Sequence, residues 1–454
     1  MWHFNSMEKI NESEPKHSEE KKSHYIPIIR KFVYSHFIAF CWMALSIYIS
    51  IPWLLDFGVI VTIPVAFLIL AGIAYIPGYL NAFMVASLLF DRQPPLKYQN
   101  PIKPVTILIA CHNEEKGIEN TLSYLASQDY RGFMKIFVID NHSSDDTAGV
   151  ARAAAGKSNM HVDVLYEPTP GKHHALNHAL QHVKTDLLIT LDADTLLHKS
   201  AIRHIVGRLI ISPTDVCAVA GAVLVRNSRG NLLARIQEWD YFLGIASIKR
   251  LQGMFQGTLV AQGAFSLYKT EAIKSVNGWP NAIGEDIVLT WNLLANGGKV
   301  YFEPLSVAFT DVPEVFIHFV RQRSRWARGM VEALKVIKPW SQPSLYAKYL
   351  TGSNLVMPYL DIVYTFCWIP GVILALFGYY WIAGLATLLV LPLAMLVNYI
   401  LYRYQRGVFK TLGLRIRKNV AGFIFYVVFY QILMSPISVM GYFQEVLKLR
   451  RVWK

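Results

Sequence analysis

The sequence predicts an α/β domain with a doubly wound sheet, set between groups of membrane-spanning helices, and three observations predict it. The 454 residues are 53% hydrophobic and 17% charged, with mean hydropathy +0.31, whereas soluble globular chains are about one quarter charged. The apolar residues gather into runs of membrane-spanning length near both ends. Between those runs, short β-rich stretches alternate with helix-like ones, the pattern of a sheet covered by helices on both faces.

Residues 1–30 are polar, rich in Glu, Lys, Ser and His, and read as a disordered cytoplasmic tail. No signal peptide is expected, because the first apolar run follows this tail and lacks a small-residue cleavage site. Two spans follow within residues 31–90. They are placed at 33–55 and 57–80, with Asp56 in the tight turn between them, each near the ~20 residues that a hydrocarbon core requires. The apolar character ends at Phe90, and Asp91-Arg92-Gln93-Pro94-Pro95 reads as a linker.

Residues 91–340 read as the α/β domain, with amphipathic helices at its end. Residues 105–110, 135–140 and 186–192 are strand-like, and 115–127 are helix-like. The near-continuous apolar run at 186–192 suits a buried parallel strand. All three strand-like runs end in polar or acidic residues, where ligands sit in doubly wound sheets.

Residues 341–454 return to membrane character, with spans expected at 356–377, 381–402 and 420–440, about five in all. Arg403, Arg406, Lys410, Arg415, Arg417 and Lys418 then face the cytoplasm, as positive loops tend to do. The last span breaks that rule by leaving Lys448, Arg450, Arg451 and Lys454 outside, unless the chain bends back near Ser435-Pro436. Both alternatives stay open at this level.

The net charge of +13 does not point to nucleic acid. No stripe of Lys/Arg interleaved with aromatics runs through the soluble part, and the basic clusters flank apolar spans, as expected for anionic lipid. Cys41, Cys111, Cys217 and Cys367 have neither metal-ligand spacing nor a disulfide framework.

Four acidic or basic groups carry chemistry in order: Asp140, Asp192-Ala193-Asp194, Gly284-Glu285-Asp286, and Gln322-Arg323-Ser324-Arg325-Trp326. Two carboxylates one residue apart beyond a buried strand present oxygens to a hard divalent cation, Mg2+ or Mn2+. That assigns Asp192 and Asp194 as metal ligands for a nucleotide-sugar diphosphate. Glycosyl transfer needs a base for the acceptor hydroxyl, and one carboxylate opposite the leaving group gives inversion. Asp286 is the candidate, with Glu285 beside it in substrate binding. Arg325 offers fixed donors to the diphosphate, and Trp326 a stacking face for the acceptor sugar, with Gln322 in the same group. Residues 313–329 also read as an amphipathic helix on the membrane surface.

Taken together these residues resemble the processive family-2 glycosyltransferases, the cellulose, chitin, hyaluronan and poly-N-acetylglucosamine synthases. The resemblance covers about residues 100–335. It is nearest to bacterial poly-β-1,6-N-acetylglucosamine synthases through Ala234-Arg235-Ile236-Gln237, the stretch from Gly244 to Arg250, and Tyr301-Phe302-Glu303-Pro304. It implies a GT-A-type domain with a doubly wound mixed sheet. It further implies a UDP-sugar donor, UDP-N-acetylglucosamine, and a growing polysaccharide acceptor such as poly-β-1,6-N-acetylglucosamine. Synthesis would be coupled to export across the plasma or inner membrane, with membrane lipid and a small membrane subunit as partners.

Residue by residue, the resemblance makes Asn113 and Glu114 part of the nucleotide-binding opening and Asp140 the uridine-contacting acid. The family's second acid is Asn141 here, so the base contact lies with one of these two. Gly171-Lys172 resembles a Gly-Lys element near the nucleotide, which makes Lys172 a substrate-binding residue. Gln262-Gly263 stands where Ser-Gly is commoner in the acceptor stretch.

Three alternatives accompany this reading: a hyaluronan- or chitin-type synthase, a non-processive transferase acting on a lipid acceptor, and a channel with a decayed transferase domain. His174, His178 and His182 recur at helical spacing but lack a carboxylate or cysteine, and no metal site is assigned to them. Asp361 falls inside an apolar run and is expected either to line a polymer channel or to mark a displaced span boundary.

Overall fold

The computed structural model describes residues 25–91, 100–157, 160–384 and 390–449. Most of the expected N-terminal tail and linker residues 92–99 lie outside these. The apolar segment that follows the tail forms three helices, α1 (Ile28–Ile49), α2 (Ile51–Val61) and α3 (Ile63–Leu89). Asp56, expected in a turn, sits inside α2; the chain breaks instead at Ser50 and at Thr62, whose φ is 83°. Proline explains these positions. Pro52 and Pro64 occupy the first turns of α2 and α3, where a missing N–H has no helical partner to lose. α1 and α3 pack side by side, with His36 Nδ1 2.6 Å from the Tyr79 hydroxyl and Phe32 edge-on to Phe83.

The sheet domain then runs β1 (Val105–Cys111), α4 (Ile118–Ala126), β2 (Met134–Asn141), α5 (Thr147–Gly156), β3 (His161–Glu167), α6 (Lys172–His182) and β4 (Leu187–Leu191). It continues with β5 (Leu196–Leu197), α7 (Ala201–Ile210), β6 (Val216–Val225), α8 (Leu232–Trp239) and α9 (Ala246–Met254), with a π-helical stretch, Asp240–Ile245, joining the last two. It closes with β7 (Phe265–Lys269), α10 (Thr270–Ser275), α11 (Glu285–Ala295), β8 (Lys299–Thr310) and α12 (Phe316–Val336). Among the described residues the strands form one sheet in the order β3-β2-β1-β4-β7-β6-β8-β5.

The sheet is mixed. β1 is parallel to β2 and β4, whereas β7 runs antiparallel to both β4 and β6. Side chains alternate between faces along each strand. Ile107, Ile189 and Leu267 therefore join one buried cluster and Leu108, Leu188 and Tyr268 the other. The β4–β7 register pairs Leu191 with Phe265. The residues just after β4 thus lie beside those just before β7, and Asp192 N–H donates to Ala264 O at 3.2 Å.

Three helices follow: α13 (Leu345–Leu376), α14 (Val390–Thr411) and α15 (Val420–Val446). Among the described residues α1, α3, α13 and α15 are long and apolar enough to cross a membrane. The span expected at 381–402 falls partly outside the described residues. Residues 403–411, expected in a loop, extend α14, and Gln405 Nε2 donates to Phe242 O at 2.8 Å. α15 continues through Pro436 without a break.

Candidate active site

The loop after β1 is stitched to the loop after β2. Asn113 adopts φ 59°, a conformation that Asn tolerates. Its Oδ1 accepts from Ser144 N–H at 2.7 Å, and Glu114 N–H donates to Thr147 Oγ1 at 2.8 Å. Asp140, buried at the end of β2, accepts Ser143 N–H at 3.1 Å. Asn141 is committed to the backbone: its amide donates to Thr169 O at 2.7 Å and its carbonyl accepts Gly171 N–H at 2.7 Å. Asn141 thus holds the turn that delivers Lys172 to the first position of α6.

Lys172 links the two halves of the site. Its Nζ lies 2.5 Å from Asp192 Oδ1 and 3.8 Å from Glu285 Oε1. Burial alone would lower this amine's pKa, but Asp192 and Glu285 outweigh it and hold the pKa above its ordinary value. Gly263 makes room, since a Cβ there would stand 2.7 Å from Lys172 Nζ. The same glycine donates its N–H to Asp286 Oδ2 at 3.4 Å, while Ile287 N–H holds Asp286 Oδ1 at 2.8 Å. Glu285 and Asp286 open α11, where the exposed N–H groups and helix dipole favour negative charge.

Asp194 accepts from Thr195 and Thr310 hydroxyls, each at 3.3 Å. Burial first, and then Asp192, raise its pKa. Glu114 is pushed up to about 7 by burial and by Asp194 and Asp192. This excess of negative charge suits a cation. Among the described residues no three His, Cys, Asp or Glu side chains converge on one point, so Asp192 and Asp194 offer part of a coordination shell and leave the remainder to other oxygens.

α12 covers the opposite side. The start of α11 is fixed to it by Glu332, whose Oε2 accepts Ile283 N–H at 2.7 Å. Gly284 and Gly329 approach so closely that a Cβ on Gly284 would stand 2.8 Å from Gly329 Cα. Gln322 Oε1 is buried with no hydrogen-bond partner among the described residues. Arg325 is near enough for its charge to act on Glu285, and Trp326 remains 41% exposed. The sequence residues therefore gather into a group after β4 and at the start of α6 (Lys172, Asp192, Asp194), an acid pair at α11, and a covering helix.

Sequence reasoning missed several residues. Arg323, buried on α12, lies 2.9 Å from Asp240 Oδ2 and stacks on Trp326 with its guanidinium carbon 4.2 Å from the ring centroid. Tyr430 of α15 donates to the same Asp240 at 2.6 Å. Lys249 is buried in α9 and donates to Val260 O at 2.8 Å. The available signal was an arginine three residues before an expected stacking tryptophan, on the same helical face. Of the residues set aside, His178 pairs with Glu167 at 3.1 Å, a carboxylate that β3 brings to the helix from outside its own histidine stripe. Asp361 ties α13 to α15, accepting from Ser435 at 2.8 Å and Tyr442 at 2.7 Å.

Residues 101–329 match the family model described as "Glycosyltransferase like family 2". The poly-beta-1,6-N-acetyl-D-glucosamine synthase of Staphylococcus aureus is 31% identical over 271 residues, 57% of this chain and 65% of the relative. The Staphylococcus epidermidis enzyme of the same name is 30% identical over 268 residues, 59% of this chain and 64% of the relative. The matched region thus spans just under two thirds of each relative's length. Among solved structures, the mannosyltransferase of Pyrobaculum calidifontis in complex with GDP-Man and Mn2+ superposes with TM-score 0.59. It is 18% identical, covers 84% of this chain and 99% of its own, and shares the fold. The mixed sheet, the acid-rich carboxyl ends of its strands and the family match over half the sequence agree: the chain carries a family-2 glycosyltransferase domain and belongs to that family.

Proposed function

We propose that the protein is a membrane-embedded, inverting transferase that moves the sugar of UDP-N-acetylglucosamine onto a growing β-linked polysaccharide of the poly-β-1,6-N-acetylglucosamine type. The observation that carries this reading is the adjacency of Asp192 to the α11 acid pair, bridged by Lys172 and Gly263. That adjacency supports reading Asp192 as a cation-binding carboxylate and Asp286 as a base that serve one reacting centre. The names of the staphylococcal relatives support the choice of donor and product.

In this reading Asp140 contacts the uracil, since Asn141 is occupied by backbone, and Asn113 and Glu114 shape the nucleotide loop. Asp192 and Asp194 would hold Mg2+ or Mn2+, which would supply positive charge for the departing diphosphate; the fold neighbour is in complex with GDP-Man and Mn2+. Lys172 and Arg325 add positive charge on the leaving-group side. Asp286 takes the proton of the acceptor hydroxyl as that oxygen attacks the anomeric carbon. Its Oδ2 is the freer oxygen, since Gly263 N–H reaches it only at 3.4 Å. Glu285, its pKa raised mainly by burial, orients the substrate. Trp326 stacks on the acceptor sugar, and Gln322 directs its buried amide oxygen to a substrate donor. The sheet domain faces the cytoplasm, where nucleotide sugars are found, and the product leaves through the helices that span the membrane.

Membranes containing the protein are incubated with a divalent cation and labelled UDP-N-acetylglucosamine or other UDP-sugars. High-molecular-weight label from UDP-N-acetylglucosamine is expected. Label that extracts into organic solvent would instead identify a lipid acceptor, and no incorporation from any UDP-sugar by folded protein would overturn both. Asp286→Asn is expected to abolish transfer while UDP still binds; near-normal turnover in that variant removes the base assignment.

A further inference from the structure

α15 has the length and apolarity of a membrane span, yet it is docked along its whole length on the sheet domain. Its first turn is capped by Asn419, whose side chain also donates to Arg235 O at 2.9 Å and Glu238 Oε2 at 2.6 Å, while Trp239 Nε1 donates to Asn419 O at 2.8 Å. Those partners belong to α8. One turn in, a Cβ on Gly422 would stand 2.7 Å from Arg235 O. At its middle Tyr430 bonds Asp240, and Phe319 of α12 packs with Tyr430 and Ile437. Further on, Gly441 meets Ser324 O of α12, where a Cβ would stand 2.5 Å away. At the far end Glu445 lies 2.9 Å from Lys335 Nζ and 3.5 Å from an Arg328 nitrogen, and Arg328 also donates to Leu449 O at 2.9 Å.

The helix has 27 residues, so its ends are about 40 Å apart at 1.5 Å per residue. That exceeds the roughly 30 Å of a hydrocarbon core. Were α15 to cross the bilayer, its two ends would lie on opposite sides, yet both ends are bonded to α8 and α12 of one sheet domain. Contacts pair Phe319 with Ile437, Ser324 with Gly441 and Lys335 with Glu445, rising together in both helices, so α12 and α15 run side by side in one direction.

The two faces of α15 differ accordingly. Gly422, Tyr430, Ser435, Ile437, Val439, Gly441, Tyr442 and Glu445 are buried, while Ile424, Phe425, Val428, Phe429, Phe443 and Val446 are exposed. One side of α15 thus lies on protein and its open side is apolar enough to meet acyl chains; what separates an interfacial from a spanning placement is that both ends are fastened to one domain. Its continuity with the spanning helices comes through Asp361 of α13, which accepts from Ser435 and Tyr442.

We propose that α15 does not cross the membrane: it lies in the bilayer surface beside α12, its exposed apolar stripe in the acyl chains of the leaflet on the sheet-domain side. Both ends then face that leaflet. The basic residues before the helix (Arg415, Arg417, Lys418) and Lys448 after it fall on one side, where anionic headgroups attract them. α14 is fastened to the sheet domain by Gln405, which donates to Phe242 O at 2.8 Å, so the chain is already at that domain before α15 begins. The proposal rests on reading α1 and α3 as membrane-crossing, and not on the transfer chemistry.

The test uses the full-length protein carrying Cys41→Ser and Cys367→Ser, with one cysteine added at a time: Arg152→Cys on the sheet domain, Asp56→Cys in α2, and Val420→Cys or Val446→Cys at the ends of α15. Sealed vesicles of either orientation are treated with a membrane-impermeant maleimide. Both α15 positions are expected to label from the same side as Arg152→Cys, with Asp56→Cys labelled only from the other. Val446→Cys labelling together with Asp56→Cys would overturn the proposal. Equal labelling of Arg152→Cys and Asp56→Cys from one side would remove the spanning helices on which it rests, a failure recognisable without the α15 variants. Should lipid shield both α15 cysteines, an epitope after Lys454 decides. Its removal by protease from the Arg152 side supports the proposal, and protection there sinks it.

Discussion

Arg323 is a buried cation held between Asp240 and the ring of Trp326, and its planar fork serves both contacts at once. Lysine keeps the charge but neither the fork nor the flat stacking surface. Arg323→Lys is expected to leave UDP affinity unchanged while raising the KM for an oligosaccharide acceptor about tenfold, roughly 1.4 kcal/mol. An equal loss in kcat with no change in KM would show that Arg323 does not position Trp326. Arg323→Met is expected to be harsher, about 3–5 kcal/mol in stability, because Asp240 would stay buried without a counter-charge.

Lys249 gives a pH dependence. Burial lowers its pKa to about 7, against a partial opposing pull from Asp286 and an ordinary value of 10.5. Between these values the unfolded chain binds a proton that the folded chain does not, so stability rises with pH across that window. In Lys249→Met that slope is expected to flatten, read as a smaller change in melting temperature between about pH 7.5 and 9.5 than in the parent. Unchanged slopes would place the amine in water.

At the scale of elements, the site depends on how closely helices and loops approach. Gly284 and Gly329 let α11 and α12 touch backbone to backbone, which sets the acid pair against the covering helix. Gly329→Ala forces them apart, costing about 1–3 kcal/mol as overpacking does. Transfer is expected to fall at least tenfold, or roughly 1.4 kcal/mol in activation free energy, with UDP binding retained. Full activity in this variant would mean the helix spacing is not part of the site. The same scale shows where sequence reading stops. The strands at 105–110, 135–140 and 186–192 stand out because they are continuous apolar β-branched runs. β6 is equally buried, but its Ala- and Gly-rich stretch carries no period that separates a strand from a buried helix. β3 is only partly buried, and its polar residues obscure the pattern.

Over the whole molecule, a net charge of +13 accompanies four helices long and apolar enough to cross a membrane among the described residues, and we propose that lipid belongs to the folded state. Anything that binds the folded form preferentially raises its stability. In mixed micelles, anionic phospholipid is expected to raise the melting temperature by several degrees over neutral lipid, an effect that shrinks at about 0.5 M salt as screening shortens to a few ångströms. Equal melting temperatures in both lipids would detach the basic clusters from the membrane surface.

Sequence by itself determined the class of the domain and the apolar character of its flanks, and it nominated the acids, because apolar periodicity and acid-rich strand ends are local properties written along the chain. Only the tertiary structure decided which of these groups meet. Lys172 reaches Asp192 and Glu285 across residues far apart in the chain, and Gly263 matters through the space it leaves. Arg323 is tied to α15 through Asp240 and Tyr430, a link with no local signature. The last helix makes the same point: its composition reads as a span, whereas the bonds at both its ends fasten it to one face of one domain. Hydropathy measures preference for lipid, but direction through the bilayer is set by what each end of a helix is attached to.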